Sequence, residues 1–229
     1  MTNEIIPYFE MCQREGLSLQ RGMNFQVGQD YSIVLMSVRP NAPYADHWEE
    51  DGLTLIYEGH DQRRDSTQGD PKLVDQPSVT PSGSLTENGK FSLAAEEYKK
   101  NLRPPERARV YEKIRNGIWS YNGMYALIDA WQESDGKRQV YKFKLRLVEE
   151  KQSIENQSAT LAERTRAIPT AVKVEVWKRD GGRCVICGSK DELHFDHIIP
   201  YSKGGTSLTA ANVQLLCARH NVQKRDRIE

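Results

Sequence analysis

The sequence has no long apolar run. Hydrophobic residues make up 38% of its 229 residues, but no stretch approaches the roughly 20 apolar residues that a membrane-spanning helix needs. Residues 1–19 lack the charged start, the apolar middle and the small-residue cleavage site of a secretory signal. We therefore expect a cytoplasmic protein without a membrane partner.

The chain also lacks a net charge, since 32 Lys and Arg residues balance 32 Asp and Glu residues. The balance differs along the chain. Residues 1–150 hold 19 basic and 23 acidic residues, a difference of −4, and residues 151–229 hold 13 and 9, a difference of +4. A neutral total therefore still allows a basic C-terminal surface that contacts nucleic acid. Internal repeats and low-complexity tracts are absent, which argues against a repeat architecture.

Cysteine is scarce, and three of the four cysteines lie near the C-terminus. Cys184 and Cys187 form one pair, and after 29 intervening residues Cys217 and His220 form a second. Two such pairs supply the three-Cys, one-His set that structural zinc prefers, whereas free thiols, the alternative, do not require this spacing. We therefore expect a structural zinc ion. The remaining Cys12 we expect to be a half-buried apolar residue.

The pattern of apolar residues and breakers predicts two domains of an α+β protein. We place an N-terminal domain at 1–150, a linker at 151–170 and a C-terminal domain at 171–229. Residues 149–166 are polar and free of glycine and proline, which predicts a linker helix that ends near Pro169.

Within the first domain, strand-length apolar stretches and a short helix can be located. The predicted strands are 31–38, 53–57, 119–127 and 140–148. A helix at 91–102 ends before two prolines, because the residue before proline avoids the helical conformation. In the last strand, Lys142, Lys144 and Arg146 alternate with apolar residues, which predicts a half-buried strand with a basic outer stripe.

The segment between the two zinc pairs carries a second motif. It contains Leu193-His-Phe-Asp-His-Ile-Ile-Pro200, then Gly204-Gly205 and Asn212, and Asn221 follows the second pair. With the closing Asn-x-x-Lys, this run resembles the HNH nucleases, the ββα-metal family, over residues 172–224. The alternative is a zinc-ribbon binding element without chemistry, but such an element needs no Asp-His pair outside its zinc ligands. The resemblance implies hydrolysis of a phosphodiester bond, which requires a base and a hard cation.

The HNH resemblance implies a role for each residue of this run. His197, with an unperturbed pKa of about 6.5, suits a base that deprotonates water. Asp196 and Asn221 would hold magnesium or manganese, and Asn212 would fix the loop that follows His197. His220 could serve the catalytic metal instead, but zinc would then keep only three protein ligands, so we assign His220 to zinc.

Three other residues of the C-terminal domain have open roles. Lys224 and Arg225 are either phosphate contacts or ordinary exposed charges. His194 lies two residues before Asp196 on a predicted strand, so both side chains share a face. His194 therefore contacts phosphate or has a structural role.

The N-terminal domain contains the segments Gly52-Leu-Thr-Leu-Ile-Tyr-Glu-Gly-His60 and Tyr121-Asn-Gly123. Both resemble motifs of the SRA domain, a β-barrel that reads modified cytosine by flipping the base out of the duplex, although Asn122 replaces the family's Asp. The resemblance covers residues 22–148. It implies a pocket in which the base is stacked between flat side chains and bound along its polar edge.

We assign five residues to this pocket: Tyr44, Asp46, His47, Trp48 and Tyr57. The two tyrosines are the predicted stacking pair, although core packing is the alternative for each. Asp46 or His47 would bond the Watson-Crick edge, and Trp48 would support the pocket or fill the gap left in the duplex.

Together the two resemblances imply a restriction endonuclease for double-stranded DNA. It would recognise 5-methylcytosine or 5-hydroxymethylcytosine and hydrolyse the backbone nearby, with zinc as the structural ion and magnesium or manganese as the catalytic ion. Because one such site cuts one strand, a double-strand break predicts a homodimer. Two alternatives stay open: a reader of modified DNA with a degenerate nuclease module, and a nuclease whose first domain takes another ligand, such as RNA or unmodified DNA.

Overall fold

The computed structural model describes residues 4–27, 30–63, 69–148 and 168–224. In these residues ten strands form one sheet, and four α-helices pack against it. The predicted α+β class is confirmed. No helix in the described ranges combines the length and the apolar character that are needed to span a bilayer.

The strands, in chain order, are β1 (Glu4–Pro7), β2 (Met23–Asn24), β3 (Ser32–Met36), β4 (His47–Trp48), β5 (Thr54–Glu58), β6 (Arg107–Arg115), β7 (Ile118–Ser134), β8 (Gln139–Leu147), β9 (Leu193–His197) and β10 (Val213–Cys217). The helices are α1 (Tyr8–Glu15), α2 (Glu87–Lys99), α3 (Thr170–Arg179) and α4 (Ala218–Lys224). The four predicted strands correspond to β3, β5, β7 and β8.

The predicted helix of the first domain corresponds to α2 and starts earlier than expected. Thr86 caps its first turn, because the threonine hydroxyl accepts a hydrogen bond from the Gly89 amide at 3.2 Å. Thr86 also donates to the Pro77 carbonyl, so the cap is tied to the preceding loop. The helix ends at Lys99, ahead of the prolines. The predicted linker helix at 149–166 lies outside the described residues.

The long strand β7 organises the sheet. The strand order is β10-β9-β1-β7-β6-β3-β2, and β7 also pairs with β8, which continues to β5 and β4. The β3–β6 pair is parallel, and the pairs that β7 makes with β1, β6 and β8 are antiparallel. The N-terminal strand β1 thereby connects the C-terminal β9–β10 hairpin to the rest of the sheet.

The main hydrophobic core lies between α2 and the strands β5, β7 and β8. Phe91 of α2 is fully buried and meets Phe143 of β8 edge-on, with ring centroids 5.8 Å apart. Burial of one such side chain contributes about 1.5–3 kcal/mol. The helix therefore covers the apolar side chains of these strands.

The predicted basic outer stripe of β8 is wrong at Lys142. The Lys142 side chain is buried, and its Nζ donates to Glu58 Oε2 at 3.0 Å. Glu58 is its direct cross-strand neighbour on β5, so the Lys142 ammonium contacts this carboxylate instead of water. Lys144 is half-buried and pairs with Glu49, and Arg146 is exposed as predicted. A charge on the outer face of a strand is buried when the neighbouring strand supplies its counterion.

Candidate functional site

Four side chains converge beside the end of β10. The ligand atoms of Cys184, Cys187, Cys217 and His220 lie within 4.8 Å of one another. His220 Nδ1 is 3.4 Å from Cys184 Sγ and 3.3 Å from Cys217 Sγ, and the sulfurs of Cys187 and Cys217 are 3.9 Å apart. A tetrahedral zinc ion with bonds of about 2.0–2.3 Å separates its ligands by about 3.5–3.8 Å. The four residues therefore fit a structural zinc ion.

The backbone around the first cysteine pair forms a tight turn. The Gly188 amide donates to the Cys184 carbonyl at 2.8 Å, and Gly188 has the left-handed φ of 75° that favours glycine. The Val185 amide donates to Leu215 of β10, which attaches the turn to the hairpin. Burial raises the pKa of the Cys184 thiol, but backbone amides and His220 outweigh it and lower that pKa to about 6. This favours the thiolate that zinc binds.

Strand β9 ends with the Asp-His pair, and a buried lysine holds it. Asp196 and His197 pair with Gln214 and Val213 of β10. Lys224 of α4 is 1% exposed; its Nζ lies 2.8 Å from Asp196 Oδ2 and also donates to the His197 carbonyl. Because a buried ammonium requires a counter-charge, this contact fixes the Asp196 carboxylate and attaches α4 to β9.

The ring of His197 contacts a residue that the sequence motif did not single out. His197 Nε2 lies 2.8 Å from the hydroxyl oxygen of Ser207, whose side chain is fully buried. A hydroxyl at this distance restricts the orientation of the ring. Ser207 follows the Gly-Gly turn within Thr-Ser-Leu, which has no distinguishing pattern, so sequence reasoning had no signal for it.

Asn212 holds the loop that follows β9. Its side-chain oxygen accepts a hydrogen bond from the Ile199 amide at 2.8 Å, and its side-chain nitrogen donates to the carbonyls of Ile199 and Thr206 at 3.1 and 2.9 Å. Gly205 is required in the same loop, because a Cβ there would lie 1.8 Å from the Ile199 carbonyl oxygen. The loop is thus fixed on the side of β9 that carries the Asp-His pair.

A cavity of about 420 Å³ lies between the β3–β5 loop, the end of β5 and the turn before β8. Its lining includes the polar or charged residues Arg39, Tyr44, Asp46, Glu58, Lys72 and Arg138. Two of the five residues that we predicted for a base pocket, Tyr44 and Asp46, are therefore in one cavity. The cationic groups and Glu58 were not predicted there.

Asp46 is a buried acid in the wall of this cavity. Its two carboxylate oxygens accept hydrogen bonds from the backbone amides of Ser37 and Glu58, each at 3.0 Å. Burial raises the pKa of Asp46 to about 7, although both amides and Lys142 act in the opposite direction. The protonation of this acid therefore changes near neutral pH.

Tyr44 presents one covered ring face. Lys72 Nζ lies 4.0 Å from the centroid of the ring and 2.9 Å from Asp61 Oδ2. The Tyr44 hydroxyl accepts a hydrogen bond from the Asp61 amide at 3.4 Å. A flat ligand in the cavity can therefore stack only on the ring face opposite Lys72.

The raised pKa of Asp46 predicts a pH-dependent stability. The folded state holds this proton more tightly than the unfolded state, so its stabilisation is complete below about pH 4 and is lost as the pH rises through about 7. We expect the free energy of unfolding of the wild type, relative to Asp46→Asn, to fall across this window by at most about 4 kcal/mol. Urea unfolding of both proteins at several pH values measures the difference. A difference that is constant or rises with pH would contradict the prediction.

Residues 184–227 match the family model of the HNH endonuclease. Because it contains this match, we refer to the C-terminal part of the chain, from residue 168 onwards, as the HNH module. The match spans the zinc ligands, the Asp-His pair and Asn212. No curated protein matches the chain.

The chain is similar to solved structures of SRA domains and of a restriction enzyme. The SRA domain of SUVH5 in complex with hemi-methylated CG DNA is 21% identical, with a TM-score of 0.42, over 66% of this chain and 90% of that one. Its complex with fully hydroxymethylated CG DNA is 19% identical, with a TM-score of 0.43, over 66% and 91%. ScoMcrA, a Type IV phosphorothioation-dependent restriction endonuclease, is 15% identical, with a TM-score of 0.40, over 98% and 59%.

Three predicted residues of the HNH module have roles that the structure narrows or leaves open. Asn221 lies three residues before Lys224 on α4, so both are on the same helix face. Lys224 is buried against Asp196, so both predictions for it, a phosphate contact and an ordinary exposed charge, are wrong. His194 is half-buried opposite Glu4 of β1; burial lowers its pKa, and Glu4 acts against this. Arg225 lies outside the described residues.

Three predicted residues of the base pocket lie elsewhere. Tyr57 is fully buried in the main core and does not line the cavity; its hydroxyl lies against Gly22, where an added Cβ would be 2.4 Å away. Trp48 is half-buried and packs on Tyr125, with centroids 5.9 Å apart. His47 is exposed beside the cavity, with Nδ1 3.3 Å from the Ala45 carbonyl oxygen.

Proposed function

We propose that this chain is an endonuclease that reads a modified cytosine in double-stranded DNA and hydrolyses the backbone nearby. One observation carries the proposal: Asp196 and His197 stand outside the zinc ligand set, oriented by Lys224 and Ser207. A zinc element that only binds has no use for such a pair. The domain limits of the proposal are 1–150 for reading, 151–170 for the linker and 171–229 for cleavage.

In the proposed reaction His197 is the general base. In this role His197 carries its proton on Nε2, which donates to the Ser207 hydroxyl, and Nδ1 accepts the proton of the attacking water. Asn212 keeps the loop after His197 in place through its hydrogen bonds to the backbone of Ile199 and Thr206. The side chains of Ser207 and Asn212 are positioning residues, because they act on His197 and its loop.

Asp196 and Asn221 would hold the catalytic magnesium or manganese ion. The donor set fits such an ion: a carboxylate and an amide oxygen are hard ligands, and the partly buried Asp196 carboxylate already faces a cation, Lys224. The bound ion would supply positive charge to the phosphate and to the leaving oxygen. Lys224 keeps the carboxylate in one orientation and lowers the cost of burying it.

The cavity that contains Tyr44 and Asp46 is the proposed site for the modified base. Tyr44 is the proposed stacking residue, through the ring face that Lys72 does not cover. Asp46 is the proposed partner of the polar edge of the base, and its pKa of about 7 allows it to donate or accept a hydrogen bond near neutral pH. The SUVH5 SRA structures named above hold methylated and hydroxymethylated DNA. For this chain, the assignment to 5-methylcytosine or 5-hydroxymethylcytosine rests on the resemblance of residues 52–60 and 121–123 to the SRA motifs. A cytoplasmic restriction role and a homodimer that cuts both strands belong to the same proposal.

The test uses three duplexes of one sequence, with cytosine, 5-methylcytosine or 5-hydroxymethylcytosine at a single position. Each is incubated with the protein and magnesium or manganese, and EDTA is the control for the metal. We expect cleavage of modified DNA and little cleavage of ordinary DNA. Equal cleavage of all three duplexes would show that the protein is a nuclease that does not recognise the modification. Retention of modified DNA without cleavage would identify a reader with a degenerate HNH module.

Truncation of Tyr44 should remove most of the preference for modified DNA. Stacking of a base on an aromatic ring contributes about 1–3 kcal/mol, so Tyr44→Ala should weaken binding of the modified duplex by about 5- to 150-fold. Binding of ordinary DNA should change little. The matched control is Tyr44→Phe, which keeps the ring and loses only the hydroxyl that contacts Asp61. Equal losses for both duplexes, measured by fluorescence anisotropy, would place the base elsewhere.

A further inference from the structure

A buried polar cluster joins the HNH module to the N-terminal sheet. Lys173 of α3 is 3% exposed, and its Nζ donates to Glu112 Oε2 at 3.0 Å and to Asn122 Oδ1 at 2.9 Å. Glu112 and Asn122 belong to β6 and β7. Thr170, at the start of α3, donates its hydroxyl to the other oxygen of Glu112. The first turn of α3 is therefore tied to the sheet by charge and by hydrogen bonds.

The cluster explains why Asn122 stands where the SRA signature has Asp. Asn122 Nδ2 donates to Glu112 Oε2 at 2.9 Å, while its Oδ1 accepts from Lys173 and from the Ser120 hydroxyl. An aspartate could not donate to Glu112, and it would place two buried carboxylates against one ammonium. The amide is thus the group that completes this cluster, so Asn122 lies at a contact between the two parts of the chain.

Two further contacts lie along the same boundary. Strand β1 pairs with β7 of the N-terminal sheet on one side and meets β9 on the other, at Glu4 and His194. Ile5 of β1 is buried in the hydrophobic cluster of the HNH module, and Ile118 of β7 packs against that cluster. Sheet pairing, apolar burial and the ion pair therefore all resist movement of one part against the other.

We propose that this interface, formed by Glu112, Asn122, Thr170, Lys173 and the β1–β9 contact, sets the distance between the base that is read and the bond that is cut. The inference rests on the proposed function. If the interface holds the two parts rigidly, the length of the segment 149–167 has no influence on the cleavage position. The interface residues are positioning residues, because none of them belongs to the Asp-His site or to the cavity.

The first experiment lengthens the connecting segment. Eight Gly and Ser residues are inserted within 149–167 of the full-length protein, and cleavage positions are mapped on a duplex with one modified cytosine. We expect the protein with the insertion to cut at the same bonds as the wild type. A shifted or broadened set of cut positions would overturn the proposal, because the segment and not the interface would then set the distance.

The second experiment reverses charges in the protein that carries the insertion. Lys173→Glu and Glu112→Lys each place like charges together, and each should lower cleavage at the original bonds by about 10-fold or more and scatter the remaining cuts. The double variant restores an opposite pair and should restore the original positions. Lys178→Glu, an exposed residue of the same helix, is the matched control and should behave as the unreversed protein. Identical behaviour of Lys173→Glu and Lys178→Glu would refute the interface.

A readout without DNA separates this inference from the proposed function. In calorimetry the wild type should unfold in one transition, Lys173→Glu in two, and the charge-swapped double variant again in one. If the wild type cuts no modified DNA but shows this pattern, the proposed function fails and the interface stands as a structural contact. Two independent transitions in the wild type would refute the rigid interface even where modified DNA is cut.

Discussion

Replacement of His197 by alanine should lower the rate of cleavage of modified DNA by about 10²- to 10⁴-fold, the range that a general base contributes. Binding of the same DNA should stay unchanged, because His197 lies in the HNH module and not in the cavity that contains Tyr44 and Asp46. Single-turnover cleavage at saturating protein and anisotropy in EDTA measure the two quantities separately.

His194→Ala is the matched control for this variant. His194 is on the same strand, three residues earlier and on the opposite face, and its neighbour is Glu4 of β1. We expect its cleavage rate to stay within about threefold of the wild type, since a residue outside the reacting group leaves the proton transfer intact. A loss as large as that of His197→Ala would show that the base had been assigned to the wrong histidine. Undiminished cleavage by His197→Ala would remove the proposed mechanism.

The parts of the site that the sequence predicts are those whose chemistry requires fixed spacing along the chain. A zinc knuckle needs two cysteines separated by two residues, and the Asp-His pair is contiguous, so both are visible without a structure. The same is true of Asn212, whose side chain reaches only the nearby loop from 199 to 206. Local constraints leave local patterns.

The parts that sequence reasoning missed depend on pairing across the fold. The alternation of β8 predicts an exposed Lys142, but Glu58 on the adjacent strand provides a counterion and the lysine is buried. Lysine is usually a surface residue, yet the ammonium of Lys224 is buried and forms an ion pair with Asp196. In both cases the partner is distant in the sequence, and no pattern within either segment records it.

Tyr57 shows a different limit of the same kind. A tyrosine beside polar residues fits a stacking role and a core role equally well, and the face of β5 on which it lies is decided by the register with β8. That register places Tyr57 in the core, together with Leu55, and it places Glu58 at the cavity. Asn122 is similar, because the reason for an amide there depends on Lys173, 51 residues later in the chain.

Loss of zinc should unfold the HNH module and abolish cleavage. The described part of the module, residues 168–224, has a thin core, and two of the zinc ligands, Cys184 and Cys217, are buried members of it. In small zinc domains the apparent binding free energy of about 10–16 kcal/mol is a folding free energy, so removal of one ligand leaves too little to keep the fold. We expect Cys217→Ser to lack bound zinc, to lose cleavage entirely and to show reduced helix content.

The fourth cysteine provides the control for this substitution. Cys12 is half-buried on α1, outside the ligand set, so Cys12→Ser should retain one zinc per chain and near-normal cleavage. Zinc content by atomic absorption and unfolding by circular dichroism are measured for both variants. If the interface holds α3 and β1, Cys217→Ser should also lower the unfolding temperature of the N-terminal part, because Ile5 loses its packing partners and Glu112 loses the Lys173 ammonium. Full zinc occupancy in Cys217→Ser would show that this cysteine is not a ligand.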